Sequence, residues 1–310
     1  MNSETDGLTS SVSNASDNYQ FKHIPMKYFP PFLKKIDEKG KTEKSIHLPF
    51  TQLNLLNGHT YGEFVQEFTQ LPQSIAERQI KTFYFVRHAQ GIHNEAESKF
   101  GTDHWESVEA KSEQYFDAKL TDFGRNQTKL LFDSITKMQQ STPTLKFDLL
   151  IVSPLTRAIQ TAQIAFQPLF DNPTFPIYSH EMIRETIGRH YCDKRRSITE
   201  LKQLYPRVNF SEPGAFNSDS DILWNANERE TQEQIQLRAI KFLNWCFDRF
   251  VDEKHILVTA HCEIISTCAR ILGANDSMQE EIIGNKDKYE FKIANCEFLP
   301  IVAVRYKNRL

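Results

Sequence analysis

The chain has 310 residues, 39% hydrophobic and 12% aromatic with 23 Phe, enough apolar material for one large domain with a substantial core. Its 37 basic and 40 acidic residues leave a net charge of -3, which excludes a globally basic surface for nucleic acid and any electrostatic pull toward anionic membranes. An anion site, if present, must be local.

No run of about 18 apolar residues spans a bilayer, and Met1 to Tyr19 is polar without an apolar signal core, so the expected compartment is the cytoplasm, with the nucleus also open to it. Five cysteines without paired spacing read as reduced thiols. In that setting the Asn-Xaa-Ser/Thr triplets at Asn14, Asn126, Asn209 and Asn275 are accidental.

Residues 1–18, rich in Ser, Asn, Asp and Thr, read as a disordered tail. Residues 19–79 form an N-terminal extension: the aromatic and proline-containing stretch Tyr19 to Leu33 reads as an extended segment packed on the core, and Lys34 to Lys44 as a solvated loop. Gly40-Lys41-Thr42 is not the end of a P-loop, because Lys stands at position 35 where glycine is needed and no apolar strand precedes it.

From residue 80 to 310 the pattern changes to apolar strands that end on chemistry-bearing residues. Thr82 to Val86 is a strand that gives out at Arg87-His88-Ala89-Gln90-Gly91-Ile92-His93-Asn94. A neutral imidazole can attack phosphorus, and an adjacent guanidinium neutralises the non-transferring oxygens. Phe147 to Val152 is a second buried strand, ended by Ser153-Pro154, with Arg157 in the first turn of the helix that follows. A cation is poorly placed there unless an anion is near. His255 to Ala260 is a third strand, with His261 at its junction to the helix Cys262 to Leu272. An open parallel α/β sheet gathers anionic ligands at such strand ends, where helix N-termini present unpaired N–H groups.

Two insertions interrupt this frame. Residues 95–119, polar and acidic with Trp105, Glu106, Glu109, Glu113 and Tyr115, read as a cap over the site, and residues 188–227 carry the basic run Cys192-Asp193-Lys194-Arg195-Arg196. That run reads either as a contact for a distal substrate anion or as a solvated helix N-terminus. Glu228 to Phe250 has the apolar spacing of a packed amphipathic helix, and Phe298 to Tyr306 reads as a last strand.

Rival chemistries fit less well. A cysteine phosphatase needs five residues between Cys and Arg, but after Cys262 the residue at 268 is Cys and Arg comes only at 270. A zinc site on His88, His93 and His104 lacks both the paired-histidine helix spacing and paired thiolates.

These residues carry a resemblance to the histidine phosphatase superfamily, the phosphoglycerate mutase-like fold, and most of all to its fungal phosphomutase-like branch. Arg87-His88 matches the opening signature, Leu120-Thr121-Asp122-Phe123-Gly124-Arg125-Asn126-Gln127 a second block, and Ser153-Pro154 with Arg157 and Thr161 a third. Arg184-Glu185-Thr186 matches a fourth and Ala260-His261 the last, all in the family's order. Two positions depart from it: Ala89 and Cys262 stand where the family usually has glycine or a small polar residue.

The resemblance implies a three-layer α/β/α domain with a mostly parallel central sheet flanked by helices and cap insertions. It implies attack by neutral His88, with Arg87, Arg157 and a protonated His261 holding the equatorial oxygens, and needs no metal or other cofactor. Glu185 is carried over as the general acid, with Glu181 a nearby rival, and Asn94 as a further substrate ligand. The expected activity is that of a histidine acid-type phosphatase, a phosphomonoesterase acting on a small phosphorylated metabolite through phosphohistidine. A phosphomutase is the alternative, and a non-catalytic phosphate-ligand-binding protein of the same fold a further one. Nucleic acid and membrane partners are not expected, and the oligomeric state is open.

Overall fold

The computed structural model describes residues 19–23, 33–35, 78–140, 146–272, 289–291 and 293–307. The tail read over residues 1–18 and most of the extension read over 19–79 lie outside these.

Chain order among the described residues begins with β1 (Tyr19–His23), β2 (Leu33–Lys35) and β3 (Arg78–Arg87), followed by α1 (Ile92–Phe100), α2 (Thr102–Ser107) and α3 (Asp122–Gln139). Then come β4 (Leu149–Val152), α4 (Thr156–Ala165), α5 (Gln167–Asp171), β5 (Ile177–Ser179) and α6 (Ile198–Leu204). The chain continues through α7 (Gln232–Arg249), β6 (His255–Ala260), α8 (Cys262–Ile271), β7 (Tyr289–Phe291) and β8 (Phe298–Lys307).

Six strands form one mixed sheet in the order β1-β8-β3-β6-β4-β5, and β2 pairs with β7 separately. The neighbouring strands β3, β6, β4 and β5, the last at the sheet's edge, are parallel, while β8 runs antiparallel to both β3 and β1. Strands buried on both faces need apolar side chains at every position, and Leu149-Leu150-Ile151-Val152 of β4 is buried throughout. Along β3 the side chains alternate between two cores. Tyr84 and Val86 join Leu150, Val152 and the α3 and α4 residues Leu131, Ile135, Ala158 and Ile159, whereas Phe83 and Phe85 join Ile151, Val258 and the α7 and α8 residues Phe242, Phe247, Ile264 and Ile265. Period-two alternation in one strand thus yields the three-layer α/β/α arrangement.

Strand β3 is longer than its apolar run, starting at Arg78 rather than Thr82, because the mostly polar Arg78-Gln79-Ile80-Lys81 pairs with Tyr306 to Ala303 of β8. The pairing partner, not local apolarity, extends the strand. Helix α1 runs on to Phe100, so the first residues of the 95–119 insertion continue it. Only His93 and Ala96 of that helix are buried, which leaves little periodicity to read. Among the described residues no helix is long and apolar enough to cross a membrane.

What positions the site is the register. Arg87 of β3 faces Ala260 of β6, and Val152 of β4 faces Thr259, so three parallel strands stop at one level. The residues immediately after them, His88, His261 and Ser153, therefore converge.

Candidate active site

The turn after β3 is clamped from four directions. His88 N–H donates to the Ala260 carbonyl at 3.0 Å, and the Asn295 side chain donates to the His88 carbonyl at 2.8 Å. Ala89 N–H donates to Thr161 Oγ1 at 3.0 Å and Gln90 N–H to Gln127 Oε1 at 2.9 Å. Helix α3 can come this close only because residue 124 is glycine, where a Cβ would lie 2.1 Å from the Gln90 carbonyl oxygen. Thr121 caps the same helix by accepting from Gly124 N–H at 2.9 Å. The block from Leu120 to Gln127 is thus a device for pressing a helix onto the loop that carries His88.

His88 is 1% exposed. Its Nδ1 lies 2.7 Å from the Ala89 carbonyl, and its Nε2 lies 3.2 Å from Nε of Arg157. A carbonyl only accepts and a guanidinium only donates, so Nδ1 carries the proton and Nε2 keeps its lone pair. Burial first, then Arg157 and Arg87, hold the pKa of His88 well below the usual histidine range. The ring of His261 lies 5.0 Å from that of His88, centroid to centroid, and its Nε2 shares a 2.7 Å hydrogen bond with Ser153 Oγ. Burial and then Arg157 also hold His261 well below 6.5. In the free site these causes favour the neutral form of His261, and the proton expected on it from the sequence belongs to the phosphate-bound state. A bound phosphate dianion would oppose both guanidinium groups and favour the proton's return.

Arg157 is fully buried in the first turn of α4. Its Nη1 donates to the Cys192 carbonyl at 2.5 Å and its Nη2 to Asp193 Oδ1 at 2.8 Å. The start of α4 is capped by Asp117, which accepts from Thr156 N–H at 2.8 Å and from Thr156 Oγ1 at 2.5 Å. Arg87 Nη1 donates to the Ile293 carbonyl at 2.8 Å, while Arg87 Nε is buried with no hydrogen-bond partner. His261 Nδ1 and His93 Nδ1 are buried and unpartnered as well. Three such atoms around one imidazole are unusual, since buried polar groups are nearly always paired.

Glu185 lies within electrostatic reach of Arg87, Arg157 and Asp193, and burial, reinforced by Asp193, raises its pKa above 4.5 against the pull of the arginines. Glu181, the rival, accepts from Arg184 Nη1 at 2.8 Å and Arg195 Nε at 2.7 Å, so it is a partner in a buried ion-pair network. Arg184 also grips Asp221 at 2.9 and 2.6 Å. Asn94 accepts from Gly91 N–H at 3.1 Å through Oδ1, which commits that oxygen to the start of α1.

Within the basic run of the second insertion, Arg195 is not a solvated side chain and its guanidinium is already engaged. Arg195 is buried against Glu181 and the carbonyls of Arg196, Ser218, Asp219 and Ser220, and Arg196 pairs with Asp117 at 2.9 Å. Asp193, unremarked in the sequence, anchors Arg157 and pairs with Arg229 at 3.3 Å. Burial raises its pKa, but Arg157, Arg229 and His190 together outweigh that and hold it low. His93 was weighed only as a zinc ligand, yet its ring lies 5.5 Å from that of His88. The five-residue spacing after His88, on the first turn of a helix, is the signal that would have found it. His190, Cys192 and Asp193 offer donor atoms within 4.8 Å of one another. They suit a metal poorly, because Asp193 already serves two guanidinium groups and burial pushes the Cys192 thiol well above its usual range.

Residues 83–298 match the histidine phosphatase superfamily (branch 1). The chain belongs to that superfamily. Among its relatives, a phosphoglycerate mutase-like protein of Arabidopsis thaliana is 34% identical over 250 residues, covering 72% of this chain and 84% of its own. Phosphomutase-like protein 3 of Candida albicans is 30% identical over 198 residues, covering 62% of this chain and 60% of its own. Among solved histidine phosphatase folds, the ecdysone phosphate phosphatase from Bombix mori in complex with tungstate aligns with a TM-score of 0.47 at 14% identity, over 71% of this chain and 88% of that one.

Proposed function

We propose that this chain is a phosphomonoesterase that hydrolyses a small phosphorylated metabolite through phosphohistidine on His88. One observation carries the reading: His88 is buried with its proton directed at a carbonyl and its Nε2 lone pair facing Arg157. Arg87, Arg157 and His261 surround the phosphoryl oxygens, the unpartnered Arg87 Nε is a donor that an anion would satisfy, and His261 Nδ1 becomes a second one once the bound anion returns the proton to that ring.

In the first half-reaction the Nε2 lone pair forms the N–P bond as the P–O bond to the leaving group breaks, and protonated Glu185 gives its proton to the departing oxygen. In the second, the Glu185 carboxylate takes a proton from water as that water attacks phosphorus, and His88 leaves neutral with Nδ1 still protonated. Asn94 is the weakest member of the proposed set, because its oxygen holds Gly91. No step calls for a metal or cofactor.

The His88→Ala variant should lose turnover of p-nitrophenyl phosphate together with labelling of the protein by a radioactive phosphate ester. A variant that still turned over would defeat the proposal. A phosphomutase is the second reading, favoured by the names of the relatives. Release of inorganic phosphate from phosphoglycerates, without exchange between their positions, decides for hydrolysis.

A further inference from the structure

We infer that His93 is a third imidazole of the phosphoryl pocket, donating a hydrogen bond from Nε2 to a non-bridging phosphoryl oxygen, and that Gly91 is glycine in order to admit its ring. The inference rests on the phosphohistidine reading above.

His93 is 8% exposed, and its ring centroid lies 5.5 Å from that of His88 and 6.4 Å from that of Trp105. A histidine buried for structure alone is normally tied to a backbone or carboxylate partner. Nδ1 of His93 has none. A sealed lone pair is better tolerated than a sealed N–H, so the proton resides on Nε2, the nitrogen that is not sealed. Burial first, then Arg157 and His88, keep the ring neutral. It therefore brings a donor to the nucleophile without adding a third positive charge to two guanidinium groups.

Gly91 supplies an independent observation. Its φ of -92° and ψ of 164° suit any residue, so the backbone does not require glycine. Space does. A Cβ at this position would lie 2.6 Å from His93 Nδ1 and 2.7 Å from His93 Cε1. The missing side chain is the clearance in which the imidazole lies, and a methyl group would turn that ring aside without straining the chain.

The test uses the full chain and orthovanadate, an analogue of the pentacoordinate transition state, alongside kcat/KM for p-nitrophenyl phosphate. His93→Ala should lower kcat/KM by about 10²-fold, the size of losing one preorganised donor, and weaken vanadate inhibition in proportion. His93→Gln, whose amide N–H reaches a similar point, should recover most of the loss. Gly91→Ala should reproduce the His93→Ala defect, and the double variant should be no worse than either alone, because both remove one interaction. Wild-type kcat/KM and vanadate inhibition in His93→Ala would overturn the inference, as would equal losses in the Ala and Gln variants or additive losses in the double variant. If His93→Ala fails to fold, His93→Gln and Gly91→Ala carry the same comparison. Should His88→Ala be inactive and His93→Ala unaffected, this inference alone falls; an active His88→Ala removes the phosphohistidine reading instead.

Discussion

Asp193→Asn tests how far Arg157, an arginine of the proposed phosphate site, depends on its counter-charge. The substitution keeps side-chain volume and an accepting oxygen but removes the negative charge 2.8 Å from Arg157 Nη2, in a pair whose side chains are 0% and 3% exposed. Leaving one ion of a buried pair without its partner costs about 3–5 kcal/mol. At roughly 2–4 °C per kcal/mol for a domain of this size, the melting temperature should fall by about 6–20 °C. Arg229, 26% exposed, adds little to that figure because water screens it. Saturating inorganic phosphate restores a negative charge opposite Arg157, so the gap between wild type and variant should narrow when phosphate is present. The same carboxylate helps burial to raise Glu185, so its loss should move the alkaline limb of kcat/KM to lower pH. Thermal melts with and without phosphate, and a pH profile with p-nitrophenyl phosphate, read both effects. An unchanged melting temperature with an unmoved alkaline limb would refute the argument, and a gap that phosphate leaves untouched would mean that Arg157 does not face the anion.

The pH profile of the wild type follows from two signs. His88 is active when neutral and its pKa is depressed, so activity is lost only as pH falls well below 6.5; Glu185 is active when protonated and its pKa is raised, so activity is lost as pH climbs through a value above 4.5. The optimum should lie between these two limbs, and Glu185→Gln should abolish the alkaline limb while slowing poor leaving groups more than p-nitrophenolate; equal losses on both would leave that carboxylate a structural role. Gly124→Ala drives a methyl group into the Gln90 carbonyl, and an overpacked backbone contact of this kind costs about 1–3 kcal/mol, measurable as a lower denaturation midpoint. Cys262 Sγ donates to the Ile293 carbonyl at 3.6 Å, and no step of the proposed reaction uses the thiol, so Cys262→Ala should keep most of its kcat/KM, and an inactive variant would favour thiol chemistry.

The strand ends were legible because their signal is local. An apolar run stops, and the next residue carries the chemistry: Arg87-His88 after β3, Ser153 after β4, His261 after β6. Arg157 was legible for a different reason, since a cation in the first turn of a helix asks for an anion. Glu185 came from a family block alone, and nothing in its flanking residues separates it from Glu181. The structure separates them: Glu181 is spent on two arginines, while Glu185 is left with a raised pKa.

The basic run was misleading because charge in a sequence does not say whether a side chain is solvated. Arg195 and Arg196 are consumed by carboxylates and carbonyls brought from distant segments, and the residue that matters to Arg157 is the acid beside them, 36 positions away. His93 was hidden by the polar surface of α1, which gives no period from which a buried face can be read.

What the amino-acid order determined by itself was the strands β3, β4, β6 and β8 and the residues that follow the first three, because hydrophobic periodicity and chain termination are properties of neighbours, whereas β5 and the short β2–β7 pair carry too little of either to be read. What only the tertiary structure decided was protonation and pairing. Those depend on burial and on charges a few ångströms apart in space, and the register that puts Arg87 opposite Ala260 and Val152 opposite Thr259 is what brings them together.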